Sequence, residues 1–119
     1  FPAVDSGSVR RAVIDIGTNS VKVLVGDVAP GGVVVPVLET SEQTRLGRGF
    51  YEAHRLQPGP IAATAAAAGK FAQVARRLGA ATVRTIATSA ARDAVNRDEL
   101  LGAIRREAGL EVEVISGAQ

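Results

Sequence analysis

The 119-residue sequence contains no Cys, no Met and no Trp, and aromatic residues make up 3% of it. The absence of Cys excludes disulfides, Cys-ligated metals and thiol chemistry, and it fits a reducing cytosol, so a cytoplasmic location is expected. With so few aromatics, the core has to be built from Val, Ile, Leu and Ala. The single His, His54, cannot assemble a zinc site or a catalytic triad unaided. It lies in the polar stretch Tyr51-Glu52-Ala53-His54-Arg55-Leu56, which reads as a solvated loop. No apolar run approaches the roughly 20 residues needed to cross a bilayer, and no basic, apolar leader opens the chain. Phe1 is not a translation start, so the natural initiator is expected outside this stretch. The formal net charge is +2, too small an excess for a nucleic-acid-binding surface. Neither nucleic acid nor membrane is therefore an expected partner. Among the cations, twelve Arg stand against two Lys, a bias that suits bidentate recognition of anions.

What is present describes one soluble α/β domain: 46% hydrophobic and 22% charged residues. Residues 1–8 read as a flexible lead-in. Residues 9–16 and 21–28, rich in Val, Ile and Leu, read as strands. After a turn at Gly31-Gly32, residues 33–40 read as a third strand, placed at a sheet edge because Pro36 lacks a ladder donor. Residues 45–50 read as a flexible loop. A helix is expected from about Pro60 to Leu78, with Gly79 past its end and one apolar face of Ile61, Ala65, Ala68, Phe71, Ala75 and Leu78. A fourth strand at 83–88 leads through a short connection or helical turn at 89–95. Asn96 is then placed to cap a helix over 97–108, closed by Gly109. Residues 111–115 alternate as a fifth strand, and Ser116-Gly117 turns out of it. The order β-β-β-α-β-α-β, with helical crossovers after an antiparallel meander, predicts the mixed sheet of the ribonuclease-H-like architecture.

The residues with chemical potential fall at the ends of these elements. Asp15 lies near the end of the first strand, shortly before Gly17, Thr18, Asn19 and Ser20. A carboxylate on a buried strand needs a cation or donors beside it. One reading is that Asp15 helps hold a divalent metal while Gly17 to Ser20 cradle phosphate oxygens; the other is a plain hairpin of turn-forming residues. The spacing is not that of a P-loop or of a dinucleotide fingerprint. Arg92, just past the carboxyl end of the fourth strand, is where ligands bind in open α/β sheets. It is placed either to clamp a phosphate with two N–H donors or to pair on the surface with Asp93 or Glu99. Arg45 and Arg48, flanked by Gly47 and Gly49, present cations on a loop and read either as anion contacts or as plain solvated loop charges.

Taken together, Asp-Ile-Gly-Thr-Asn-Ser at 15–20, Thr-Arg-Leu-Gly-Arg-Gly at 44–49, Ala-Thr-Ser-Ala-Ala-Arg-Asp-Ala-Val-Asn at 87–96 and Glu-Val-Ile-Ser-Gly at 113–117 resemble the amino-terminal part of the exopolyphosphatase / guanosine pentaphosphate phosphatase family. That family belongs to the actin-like ATPase, sugar kinase and Hsp70 superfamily. The resemblance implies that residues 9–119 are the amino-terminal ribonuclease-H-like half-domain of a phosphatase, ending before the last helix of that fold. It implies a hydrolase that removes the terminal phosphate of inorganic polyphosphate, or the 5′-phosphate of guanosine pentaphosphate, with Mg²⁺. Carried over by position, Asp15 belongs to the metal site, and Gly17, Thr18, Asn19 and Ser20 to the first phosphate loop. Arg92 grips substrate phosphates, with Arg45 contributing from its loop.

In the family, Ile-Ser-Gly runs into a Glu-Ala-Arg stretch whose Glu is the general base, whereas this sequence stops at Gln119. The resemblance thus places no catalytic base within the chain and expects the Glu immediately after Gln119. The second phosphate loop and the opposing domain are expected in the remainder of the protein, the natural partner of this half, and the intact protein as a homodimer is a further expectation. Glu111 and Glu113, alternating along the fifth strand toward one face, are poorly placed to substitute for that Glu. The 119-residue piece alone is expected to be inactive. Two rival readings are a kinase or ATPase of the same superfamily and a non-catalytic scaffold domain.

Overall fold

A computed structural model describes residues 7–115. Residues 1–6 of the expected lead-in at 1–8, the turn at Ser116-Gly117 and the neighbourhood of Gln119 lie outside the described residues.

Three strands open the fold: β1 (Val9–Ile16), β2 (Ser20–Val28) and β3 (Val34–Gln43). A one-turn helix α1 (Phe50–Ala53) and the 20-residue α2 (Pro58–Arg77) follow, then β4 (Thr82–Ala87), a second one-turn helix α3 (Ala90–Asp93), α4 (Arg97–Ala108) and the short β5 (Val112–Val114). The strands form one mixed sheet in the order β3-β2-β1-β4-β5. β1, β2 and β3 make the antiparallel meander, and β1, β4 and β5 are parallel. The expected architecture is present: α3 is the helical turn expected at 89–95, and the one-turn helix α1 is an addition.

Alternation along β1 decides which face is covered. Ala12, Ile14 and Ile16 are buried with Val21, Val23 and Val25 of β2, while Arg11, Val13 and Asp15 lie on the other side of the strand. Two residues C-terminal to Ile14, Ile16 pairs with Ala87 across the parallel contact, and Ala87 pairs in turn with Val114. The carboxyl ends of β1, β4 and β5 therefore finish in one row, where the loops that follow them meet. Each fully buried Ile or Val contributes roughly 1.5–3 kcal/mol of transfer free energy.

Helix α2 begins at Pro58, whose missing N–H costs nothing in a first turn, and ends before Gly79 at φ +80. It buries Ile61, Thr64, Ala65, Ala68, Phe71, Ala72 and Ala75. Its small residues permit close approach of α4: a Cβ at Gly69 would stand 3.2 Å from the Glu107 carbonyl oxygen. In α4, Asp98 and Glu99 occupy the first turn and Arg105 and Arg106 the last, matching the helix dipole, and Leu100, Ile104 and Ala108 face inward.

The edge position expected for the third strand holds, since β3 ends the sheet order. Its pairing with β2 slips at Gly26: Val25 faces Leu38 while Gly26 faces Pro36, so Val37 is an extra residue in the ladder. Val33, Val34 and Val35, just ahead of the slip, are exposed.

Candidate functional site

Between β1 and β2 the chain reverses through Gly17, Thr18 and Asn19. The Gly17 N–H donates to the Ser20 carbonyl at 2.9 Å, closing the turn. The carbonyls of Thr18 and Asn19 then point away and act as acceptors for another segment. The Asn19 carbonyl receives the N–H groups of both Thr44 and Arg45 at 3.0 Å, and the Thr18 carbonyl receives that of Gly47 at 2.8 Å. The N–H groups of Thr18 and Asn19 themselves have no acceptor among the described residues.

This docking corrects the expectation of a flexible loop at 45–50. Three long-range backbone bonds fix it to the β1–β2 turn, and two local ones, Arg48 N–H to the Arg45 carbonyl and Phe50 N–H to the Gly47 carbonyl, fold it on itself. Arg45 takes a left-handed backbone, φ 53, to make the corner. The result is an open cleft of about 520 Å³ lined by Thr18, Asn19, Arg45, Gly47 and Arg48. Free backbone donors and guanidinium groups gathered in one cleft are the chemistry with which proteins bind anions.

The second segment starts where β4 ends. Ser89 has φ 50 and ψ −111, a conformation that costs a non-Gly residue about 1–3 kcal/mol. One turn later Arg92 makes a bidentate pair with its neighbour, Nε and Nη2 donating to the Asp93 carboxylate at 3.0 and 3.2 Å. That hydrogen bond holds the Asp93 carboxyl below its ordinary range and raises the Arg92 guanidinium. Of the two pairings weighed for Arg92, the one with Asp93 is formed. Glu99 instead accepts from Asn96 and lies 3.7 Å from Arg55.

Asn96 departs from its expected role. It sits at the N-cap position of α4, but its side chain caps no helix N–H. Oδ1 accepts the Leu56 N–H at 2.8 Å and Nδ2 donates to the Leu56 carbonyl at 2.9 Å, both buried. The Val95 N–H donates to the His54 carbonyl at 2.9 Å beside it. A distant backbone offering both a donor and an acceptor outcompetes the local cap, because an amide side chain matches such a pair with two bonds at once. His54 is exposed, as expected, at φ 52 with its ring edge-on to Phe50, centroids 5.3 Å apart. The non-Gly residues with left-handed φ among those described, Arg45, His54 and Ser89, all lie in these two interlocked segments.

A family model for Ppx/GppA phosphatases matches residues 24–119. Exopolyphosphatase 2 of Mycobacterium tuberculosis is 40% identical over 120 residues, covering 92% of this chain and 37% of that protein. The chain belongs to the Ppx/GppA phosphatase family. Exopolyphosphatase 1 of Mycobacterium leprae is 32% identical, covering 91% of the chain and 32% of its own length. The crystal structure of the Aquifex aeolicus Ppx/GppA family member superposes with a TM-score of 0.86 at 34% identity, over 92% of this chain and 36% of that one. The chain spans about a third of the length of these relatives. The fold is accordingly that of the actin-like Ppx/GppA proteins.

Within this Ppx/GppA chain, Thr18, Asn19 and Arg45 share one cleft, with Gly17 and Ser20 framing the turn. Asp15 is half-buried, two residues ahead of Gly17, opposite Lys22 on β2 and Ile86 on β4. Arg92 is at the same sheet edge, engaged by Asp93. Arg48, weighed with Arg45 from the sequence as a loop cation, lines the same cleft, and Gly47, which the sequence shows only as a spacer between the two Arg, lines it as well.

The donor set fits Mg²⁺ of one kind. No group of three or more His, Asp or Glu able to hold a metal exists among the described residues. Mg²⁺ keeps most of its waters and is held by one or two carboxylates together with substrate phosphates; a single carboxylate such as Asp15, two residues ahead of the Gly17 turn, suits that mode and not a closed protein cage. Glu111 and Glu113 do not act as a pair on one strand. Glu111 precedes β5 and accepts from Arg105 at 2.9 Å, whereas Glu113 on β5 accepts from Arg84 at 2.6 Å. These hydrogen bonds lower both carboxyl pKa values, which removes them further from general-base chemistry. No helix among the described residues is long and apolar enough to cross a membrane.

Proposed function

We propose that the protein carrying this chain is a phosphoanhydride hydrolase that releases the terminal phosphate of inorganic polyphosphate, with guanosine pentaphosphate as the alternative substrate. The observation that carries the reading is the docking of Thr44, Arg45 and Gly47 onto the carbonyls of Thr18 and Asn19, which sets a cation over a turn with free N–H donors. The names of the relatives support the substrate class.

In this reading the Thr18 and Asn19 N–H groups and the Arg45 guanidinium hold the terminal phosphoryl oxygens. Arg92 exchanges its Asp93 partner for substrate oxygens, so one bidentate contact replaces another and its charge is never left unpaired. Asp15 orients a divalent cation, Mg²⁺, which when bound neutralises phosphate charge. Positioning and charge stabilisation supply most of the catalysis in phosphoryl transfer. The base that takes a proton from the attacking water is assigned to the Glu expected after Gln119, so the 119-residue piece alone binds weakly and does not turn over. The Arg92 segment favours a hydrolase over a kinase-like or scaffold role.

The test is phosphate release from long-chain polyphosphate and from guanosine pentaphosphate by the full-length protein, with Arg92→Ala and Asp15→Asn alongside. Release from the polyphosphate, falling at least about 100-fold in both variants, is expected. Release from neither substrate overturns the reading.

A further inference from the structure

The loop that docks on the β1–β2 turn carries a second cation, Arg48, three residues after Arg45. The Arg48 N–H donates to the Arg45 carbonyl at 3.0 Å, so the two residues flank one tight turn and cannot drift apart. Arg48 lines the cleft of Thr18 and Asn19, and it also lines an adjoining cleft of about 340 Å³ formed with Gly49, Gln57 and Pro60. Gly49 makes this second cleft possible. Its φ of +76 suits Gly, and a Cβ there would stand 3.3 Å from the Gln57 side chain. The second cleft adjoins the start of the 20-residue α2, whose first turn holds no carboxylate to oppose an anion.

Arg45 and Arg48 share with the exposed Arg11, Arg77 and Arg106 the lack of a carboxylate partner among the described residues, but only these two line the cleft of Thr18 and Asn19. Arg10, Arg55, Arg84, Arg92 and Arg105 each face a carboxylate within 4 Å. Arg45 and Arg48 have no such partner, and no side-chain hydrogen bond, among the described residues. Two exposed guanidinium groups three residues apart repel each other, a cost that a polyanion lying across both removes.

We propose that Arg48 forms a second phosphate subsite, bridging the Thr18–Asn19 cleft and the cleft at Gln57 and Pro60, that holds internal phosphates of a linear polyphosphate behind the terminal one. The inference rests on the hydrolase reading above and adds a determinant of chain length. A terminal phosphate needs only the first cleft. A long chain continues past the first cleft along Arg48 into the second, where each further unit carries a negative charge, whereas a short chain leaves the second cleft empty.

The experiment compares full-length wild-type protein, Arg48→Ala and Arg48→Lys, with Arg77→Ala at the exposed end of α2 as a control. Turnover and equilibrium binding are measured with long-chain polyphosphate and with tripolyphosphate at two ionic strengths. For Arg48→Ala, KM and Kd for the long chain are expected to rise about five- to tenfold, the loss of one charge-assisted contact. The salt slope of log Kd should fall by about one. The rise in KM for tripolyphosphate, which places fewer phosphates beyond the first cleft, should be smaller, about two- to threefold, and kcat for both substrates should stay within about twofold. Arg48→Lys should recover part of the long-chain affinity, since the charge returns without the bidentate fork, and Arg77→Ala should match wild type. Equal losses on both substrates, or none on the long chain, overturn the subsite while leaving the hydrolase reading intact. A wild-type protein that neither binds nor hydrolyses polyphosphate overturns both.

Discussion

The Gly47 N–H donates to the Thr18 carbonyl at 2.8 Å, and the two residues approach so closely that a Cβ at position 47 would overlap the Thr18 Cγ2 methyl. The loop bearing Arg45 is therefore seated through a contact that only Gly permits. Gly47→Ala is expected to cost about 1–3 kcal/mol, the usual range for overpacking, and to weaken phosphate binding as the loop lifts. Thr18→Ser deletes the offending methyl but keeps the hydroxyl, so the double variant should regain much of the loss. Denaturant unfolding of the four proteins measures the coupling; strictly additive effects would show that the methyl is not what Gly47 avoids.

Asn96 satisfies both backbone groups of Leu56 in a buried place. Asn96→Ala strands a buried donor and a buried acceptor and should cost about 2–4 kcal/mol, read as a lower denaturation midpoint at unchanged slope. Asn96→Asp keeps the acceptor but turns a second oxygen toward the Leu56 carbonyl and the Glu99 carboxylate. It should be at least as damaging at neutral pH and recover as acid protonates the new carboxyl.

Arg10 and Asp27 form a bidentate pair at 2.8 and 3.0 Å, with Asp27 only 5% exposed. The hydrogen bond from Arg10 holds the Asp27 carboxyl below its ordinary range, against the opposing effect of burial. A group whose folded pKa is depressed stabilises the fold above its unfolded pKa, about 3.9 for Asp, and that contribution disappears as pH falls through the lower folded value. Thermal unfolding should thus show a falling midpoint below about pH 4, and Asp27→Asn should be less stable at neutral pH with a flatter acid limb. Glu113→Gln, which breaks an exposed pair with Arg84, should change little.

Ser89 at φ 50 and ψ −111 carries strain that Gly would not. Ser89→Gly is expected to keep or raise stability by up to about 1 kcal/mol, while Ser89→Val, with a branched side chain at positive φ, should lower it. Calorimetric midpoints for the pair check this. A loss in Ser89→Gly as large as in Ser89→Val would mean that the hydroxyl, not the backbone, matters at this position.

Local pattern made much of the fold legible. The alternation of Ala12, Ile14 and Ile16, the periodic face from Ile61 to Phe71, and Gly79 and Gly109 past their helices each placed an element to within a few residues. What stayed illegible depends on partners far away in sequence. Phe50 to Ala53 is too short to show a helical period, and it forms where the loop seated on Thr18 delivers it. Asn96 before a helix reads as a cap because the Leu56 backbone, 40 residues earlier, leaves no trace near it. At the candidate site, the tight turn at Gly17 to Ser20 was readable from its small polar residues, yet its union with Arg45 is made by carbonyl oxygens, which every residue possesses and no motif can signal.

The slip at Val37 also bears on how the molecule behaves in a crowd. Val33, Val34 and Val35 are three adjacent apolar residues on an unpaired sheet margin, the kind of segment along which molecules zip into fibrils. Pro36, without an N–H, and the extra residue after it break the regular spacing that an incoming strand would have to match. Restoring a donor with Pro36→Val would lengthen the sticky run to five valines and remove its gatekeeper, turning a sheet that stops at β3 into a template for its own copies.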